Sequence, residues 1–216
     1  MKLPILAFVL SALLTTFLTP LVKRLAQKYG AVAIPRERDI HKTPMPRWGG
    51  ISMFAAFVIT LLAAYGWLTA VHLPWNAHSL NQFIGVLVGA TIVAVVGAID
   101  DKIELSAILQ TLALVAAAIV LILFGVRVEG VTNPFSTSLT PATHYMPHNW
   151  IAFSPWVSWL VTILWVFLVA KTVDFMDGLD GLAAGICAIS GITVALMADQ
   201  AGQYGVSIIA AALAGS

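Results

Sequence analysis

Three Asp residues recur at a spacing of three in Lys171-Thr172-Val173-Asp174-Phe175-Met176-Asp177-Gly178-Leu179-Asp180-Gly181. A helix advances ~100° per residue and would spread them across one face. Gly178 and Gly181 instead favour a loop or a broken helix. Either way three carboxylates converge directly after an apolar run, and Lys171 can neutralise only one of them. Carboxylates left unpaired in such a cluster need a hard cation, and oxygen-only ligands suit Mg2+ or Mn2+. The glycines would let a phosphate or sugar approach the backbone. Gly97-Ala98-Ile99-Asp100-Asp101-Lys102 adds two adjacent carboxylates. These repel each other unless Lys102 or a divalent ion compensates. The bland alternatives are a wet, glycine-rich turn and a solvated acidic helix end.

A third segment is basic. Between residues 34 and 50, Pro35, Pro44 and Pro46 stiffen a loop that presents Arg36, Arg38, His41, Lys42 and Arg47, followed by Gly49-Gly50. Cationic groups near a lipid headgroup suit phosphate binding. A topology signal in contact with anionic lipid would explain the charge, but not the proline spacing or the glycine pair.

What positions these segments follows from composition. The chain has 216 residues, 60% hydrophobic and only 10% charged. Soluble domains carry about 25% charged residues, so a soluble enzyme of this composition would expose large apolar patches. A disordered chain is excluded on the same ground. A net charge of +1 offers no general attraction to polyanions, so no nucleic-acid partner is expected. The lone cysteine, Cys187, excludes an intramolecular disulfide framework and a multi-cysteine metal site. A bilayer crossing needs ~20 mostly apolar residues. Uncharged runs supply six, at 3–22, 49–71, 80–99, 105–126, 152–170 and 182–198, and 206–214 begins a seventh that is too short to cross. Backbone groups in lipid must be satisfied internally, so these spans are helices. The expected fold is all-α, a polytopic helical membrane protein with residues 1–216 forming a single membrane domain. The first run lacks a cleavage site before Lys23-Arg24, which favours a retained span over a signal peptide.

Lys23, Arg24, Lys28, Arg36, Arg38, Lys42, Arg47, Lys102 and Lys171 fall on one side of the membrane, and only Lys2 and Arg127 on the other. The N-terminus is therefore expected outside and the first, third and fifth loops in the cytoplasm. Eight of the ten acidic residues share that cytoplasmic side, which positive-inside sorting does not require. His72, His78, His144 and His148 fall in outside loops and are expected to face water. The cytoplasmic face thus combines basic groups for phosphate with acidic groups for a metal, beside helices able to hold a lipid tail. That combination suggests phosphoryl transfer to a lipid phosphate from a soluble phosphate-containing donor.

Three motifs carry a family resemblance. His41-Lys42-Thr43-Pro44-Met45-Pro46-Arg47-Trp48-Gly49-Gly50 resembles the H-x-x-P-x-P-R-x-G-G loop of the polyprenyl-phosphate N-acetylhexosamine-1-phosphate transferases. Gly97–Asp101 resembles that family's Asp-Asp motif, and Asp174–Leu182 its N-x-x-D-G-x-D-G-L motif. Order, membrane side and spacing agree over nearly the whole chain. The resemblance is strongest to the bacterial N-acetylglucosamine-1-phosphate transferases. It implies that a UDP-N-acetylhexosamine and undecaprenyl phosphate react to give a lipid-diphosphate-sugar and UMP, with Mg2+ and with Mn2+ as a substitute. It also implies the plasma membrane of a bacterium, a role in cell-wall or surface-polysaccharide synthesis, and a homodimer as a further expected assembly. By residue, Asp100 and Asp101 would be catalytic. His41, Lys42, Arg47, Gly49, Gly50, Lys171, Asp177 and Asp180 would bind substrate. Asp101, Asp174 and Asp177 would hold the metal.

The chain departs from the pattern in places. Asp174 and Lys171 stand where the family usually has Asn, and 105–110 is about one helical turn short and lacks a usual Lys. A later M-G-D motif and a His-rich loop do not occur, so the chain is expected to be a fragment, inactive or only partly competent. A UbiA-type prenyltransferase would have wider Asp spacing and no need of the proline-arginine loop. A CDP-alcohol phosphotransferase would need a longer Asp pattern. A transporter would place charges at mid-membrane rather than at span ends; a nonfunctional membrane fragment is the remaining rival.

Overall fold

A computed structural model describes residues 2–33, 45–70, 77–132, 150–177 and 181–216. It contains helices α1 (Lys2–Tyr29), α2 (Gly49–Ala70), α3 (Ala77–Ile103), α4 (Ala107–Leu123), α5 (Pro155–Met176), α6 (Leu182–Gln200) and α7 (Tyr204–Gly215). Two short antiparallel ribbons interrupt them. Val32–Ala33 (β1) pairs with Met45–Pro46 (β2), and Gly130–Thr132 (β3) with Trp150–Ala152 (β4). The all-α expectation therefore holds apart from these ribbons, which are too short to leave a periodic signal.

Five of the helices are long and apolar enough to cross a membrane: α1, α2, Leu80–Ile103 of α3, α5 and α6. The protein is a multi-pass membrane protein built from them. α4 has 17 residues, fewer than the 105–126 run suggested. Its start is delayed because Glu104, at φ 49°, turns the chain between α3 and α4. Its end comes early because Val126 N–H bonds back to the Leu121 carbonyl. Conversely, α3 and α5 run past the ends of their apolar segments and carry Asp100, Asp101, Lys171 and Asp174 within helix. Intrahelical hydrogen bonding does not stop where lipid does, so charge marked the membrane boundary rather than the helix end. Within 171–181 the helix is broken as expected: α5 ends at Met176 and α6 begins at Leu182, with Lys171 and Asp174 still inside α5.

The helices pack in chain order, each against the next, and α7 closes back on α1 and α2. The main core joins Ala7 of α1, Phe57, Leu61 and Leu68 of α2, Phe83 of α3, and Ile208 and Ala212 of α7. In lipid such contacts gain from close van der Waals fit rather than from water release. Small residues provide it: a Cβ on Gly191 of α6 would lie 2.9 Å from the Ala214 Cβ of α7, and Gly215 sits against the Phe8 backbone of α1. Ser207 Oγ donates to the Ala195 carbonyl at 2.8 Å across the α6–α7 contact. Large apolar side chains such as Phe17, Ile108, Trp156 and Ile189 point outward, as a lipid-facing surface requires.

Candidate active site

The basic loop returns to the bundle along the end of α1. Gly30 (φ +76°) occupies the left-handed conformation that ends α1, with Ala31 N–H bonded to the Ala26 carbonyl at 2.9 Å. β1 and β2 then pair, and Arg47 N–H donates to the Ala31 carbonyl at 3.0 Å. Trp48 locks the next position. Its ring lies 6.1 Å from that of Tyr29, and its Nε1 donates to the Ala98 carbonyl of α3 at 3.1 Å. Arg47 is thereby held beside the last turn of α3, where its Nη1 donates to Glu104 Oε1 at 3.2 Å. Gly49 and Gly50 open α2, and a Cβ on either would meet nothing within 4 Å. Helix packing does not demand these glycines, and the backbone there is open to approach. His41 and Lys42 lie outside the described residues.

Asp100 and Asp101 occupy the last turn of α3, both half-buried. Asp100 Oδ1 accepts two hydrogen bonds, from Leu105 N–H at 2.7 Å and from Gln110 Nε2 at 3.0 Å. The first closes the turn into α4, and the second ties that turn to the first residues of α4. Gln110 Oε1 in turn accepts from Lys171 Nζ of α5 at 3.2 Å. Lys171 Nζ also donates to Asp174 Oδ2 at 2.9 Å, one turn along the same face of α5. A continuous path, Asp100–Gln110–Lys171–Asp174, thus joins three helices. Asp101 has Arg47 and Asp100 as its charged neighbours but makes no hydrogen bond or ion pair among the described residues. Asp177 caps α5 through its backbone, donating to the Asp174 carbonyl at 3.3 Å, and its exposed carboxylate is likewise unpaired. Asp180 lies outside the described residues. Gly181, at φ +78°, begins α6 in a conformation that favours glycine.

Asp100, Asp101, Arg47 and Lys171 are therefore brought into one neighbourhood. The carboxylates expected to hold a metal are gathered less closely. Among the described residues no three Asp, Glu, His or Cys side chains form a metal-binding group, and Asp174 is already engaged by Lys171. Among the described residues, Asp101 and Asp177 are left with carboxylates that accept no hydrogen bond and form no ion pair. That donor set fits an ion held largely by substrate phosphates, as Mg2+ commonly is, and not a cage built by protein alone.

Gln110, Glu104 and Trp48 were not singled out from sequence. Gln110 had one signal: it is the sole amide in a helix whose other residues are apolar apart from Thr111, in the 105–110 stretch that is about one turn short. Glu104 had only its place beside the Asp pair, since its left-handed backbone is invisible in sequence.

The chain is similar to known proteins. The model of glycosyl transferase family 4 matches residues 83–216. A probable undecaprenyl-phosphate N-acetylglucosaminyl 1-phosphate transferase of Bacillus subtilis (strain 168) is 33% identical over 199 residues, covering 92% of this chain and 49% of the relative. A decaprenyl-phosphate N-acetylglucosaminephosphotransferase of Mycobacterium leprae (strain TN) is 34% identical over 217 residues, 95% of this chain and 50% of the relative. The undecaprenyl-phosphate alpha-N-acetylglucosaminyl 1-phosphate transferase of Escherichia coli (strain K12) is 26% identical over 196 residues, 91% of this chain and 47% of the relative. The chain spans about half the length of the curated relatives it matches. With the family model covering well over half of its residues, the chain belongs to glycosyl transferase family 4.

Proposed function

We propose that this protein transfers N-acetylhexosamine 1-phosphate from a UDP-sugar to undecaprenyl phosphate, at the cytoplasmic face of a bacterial inner membrane. The observation that carries this reading is the polar path from Asp100 through Gln110 and Lys171 to Asp174, with Arg47 beside it, at the ends of apolar helices. A lipid phosphate anchored by its tail reaches a site at that depth, and a soluble nucleotide sugar reaches it from water. Chain orientation by the Lys and Arg count puts the N-terminus outside. With α4 counted as a short crossing, residues 1–216 form one membrane domain of six crossings, with α7 packed against α1 and α2. A homodimer is part of the same proposal.

In the reaction, an acceptor phosphate oxygen attacks the sugar-bearing phosphorus of the donor. The bond from that phosphorus to the bridging oxygen breaks, and UMP leaves with the bridging oxygen. Phosphate monoesters have a second pKa near 6, so the acceptor is largely a dianion at pH 7 and little proton abstraction is needed. The side chains chiefly orient and balance charge. Asp100, with Oδ1 fixed, presents its other oxygen to orient the acceptor or take its residual proton. Arg47 and Lys171 give up their carboxylate partners to meet diphosphate oxygens, and His41 and Lys42 are assigned to the same phosphate charge. Open backbone at Gly49 and Gly50 admits a phosphate or sugar closely. Asp177 and Asp180 are the residues assigned to nucleotide binding. Bound Mg2+, or Mn2+, would neutralise the diphosphate and ease departure of UMP, with Asp101, Asp177 and, once freed from Lys171, Asp174 as its protein ligands.

The test uses the chain in nanodiscs with UDP-N-acetylglucosamine, undecaprenyl phosphate and Mg2+. Expected are donor binding and UMP release at a partial rate, the release lost in Asp100→Asn and Asp101→Asn. Absence of both donor binding and release, or release at full rate in both variants, overturns the reading.

A further inference from the structure

We infer that Gln110 is a positioning residue, whose side-chain amide sets the orientation of Asp100 and couples it to Lys171 and Asp174. The amide has two N–H donors and one carbonyl acceptor. Nε2 serves Asp100 Oδ1 at 3.0 Å and the Leu105 carbonyl at 3.5 Å, while Oε1 receives Lys171 Nζ at 3.2 Å. The partners fix which way the amide points. Turned over, its oxygen would face a carboxylate and a carbonyl, and its NH2 would face an ammonium, three repulsions in place of three attractions. A neutral side chain thus links a carboxylate on α3 to a cation on α5 without carrying charge itself. With Oδ1 occupied by Gln110 and Leu105, only Oδ2 of Asp100 is left without a hydrogen bond among the described residues. The acid therefore presents one defined oxygen rather than two interchangeable ones. Lys171, held by Gln110 and Asp174 together, is restrained at the same time. Partners of this kind, one step removed from the reacting groups, are commonly worth about 10- to 100-fold in activity.

The kinetic part of this inference rests on the proposed transfer reaction, and a second measurement does not. Gln110→Glu keeps the size and shape of the side chain but sets an acceptor against Asp100 Oδ1. Gln110→Ala removes the link. Both should lower kcat by about 10- to 100-fold with little change in donor KM, at an unchanged thermal midpoint for Gln110→Glu. In an Asp100→Asn background, Gln110→Ala should cost clearly less than in the unaltered chain, because the part of its effect that passes through Asp100 is already gone. Equal losses in both backgrounds would show a merely structural role and overturn the inference. Independently of turnover, the rate of Lys171 acetylation by acetic anhydride, followed by mass spectrometry, should rise severalfold in Gln110→Ala. An unchanged rate overturns the coupling whether or not the chain turns over. A raised rate with no donor binding or UMP release keeps the coupling and rejects the transferase reading.

Discussion

Around Leu61, helices α1, α2 and α7 meet through apolar and small side chains; around Asp100, helices α3, α4 and α5 meet through an acid, an amide and an ammonium. The first contact is buried and close-fitting, with Gly215 of α7 letting its backbone approach that of Phe8 in α1. The second is half-exposed, and its helices are joined by directional bonds between long side chains. Shape holds the first region, so any volume change there is felt as stability. Bond geometry organises the second, and replacing one polar atom there should change what the site can do while leaving the fold in place.

Exchanging the two outcomes is the most direct way to break this contrast. Asp100→Asn should lower UMP release by about 10²- to 10⁴-fold with the thermal midpoint little changed; a variant that unfolds instead would make Asp100 a packing residue. Leu61→Ala should do the opposite, costing about 2–5 kcal/mol in an unfolding titration while the rate per folded molecule persists. Buried hydroxyls sharpen the comparison inside the packed region. Ser207→Ala removes a 2.8 Å bond between α6 and α7 and should cost about 1 kcal/mol. Ser11 is equally buried, but its hydroxyl has no partner among the described residues, so Ser11→Ala should be neutral or stabilising in the same titration. The smallest effect is expected at the opposite rim. Arg127–Glu129 is an exposed pair at 3.3 Å, and Glu129→Gln should shift stability by less than ~0.5 kcal/mol and leave UMP release unchanged. A comparable change at Glu104, which holds Arg47 at 3.2 Å, should alter donor KM.

Much of the architecture could be read from uncharged runs because lipid imposes one rule on every crossing. That rule is silent beyond the lipid boundary. α3 and α5 carry their Asp residues within helix, so Lys171 and Asp174 share a face and pair; a loop would have left their relation open. The pairing also engages Asp174, one of the three metal ligands expected, and no group of three such ligands forms among the described residues. The proline-rich loop was legible as a cationic strip. Its anchoring by Trp48 on the Ala98 carbonyl was not, since a backbone carbonyl of a distant helix has no sequence signature.

Sequence alone determined the class of protein and five of its long apolar helices, because burial in lipid is a demand on composition and order along the chain. Tertiary structure alone decided which residues meet. Gln110 and Lys171 are 61 positions apart and touch only because α4 and α5 pack side by side, and hydrogen bonds depend on separation in space rather than along the chain.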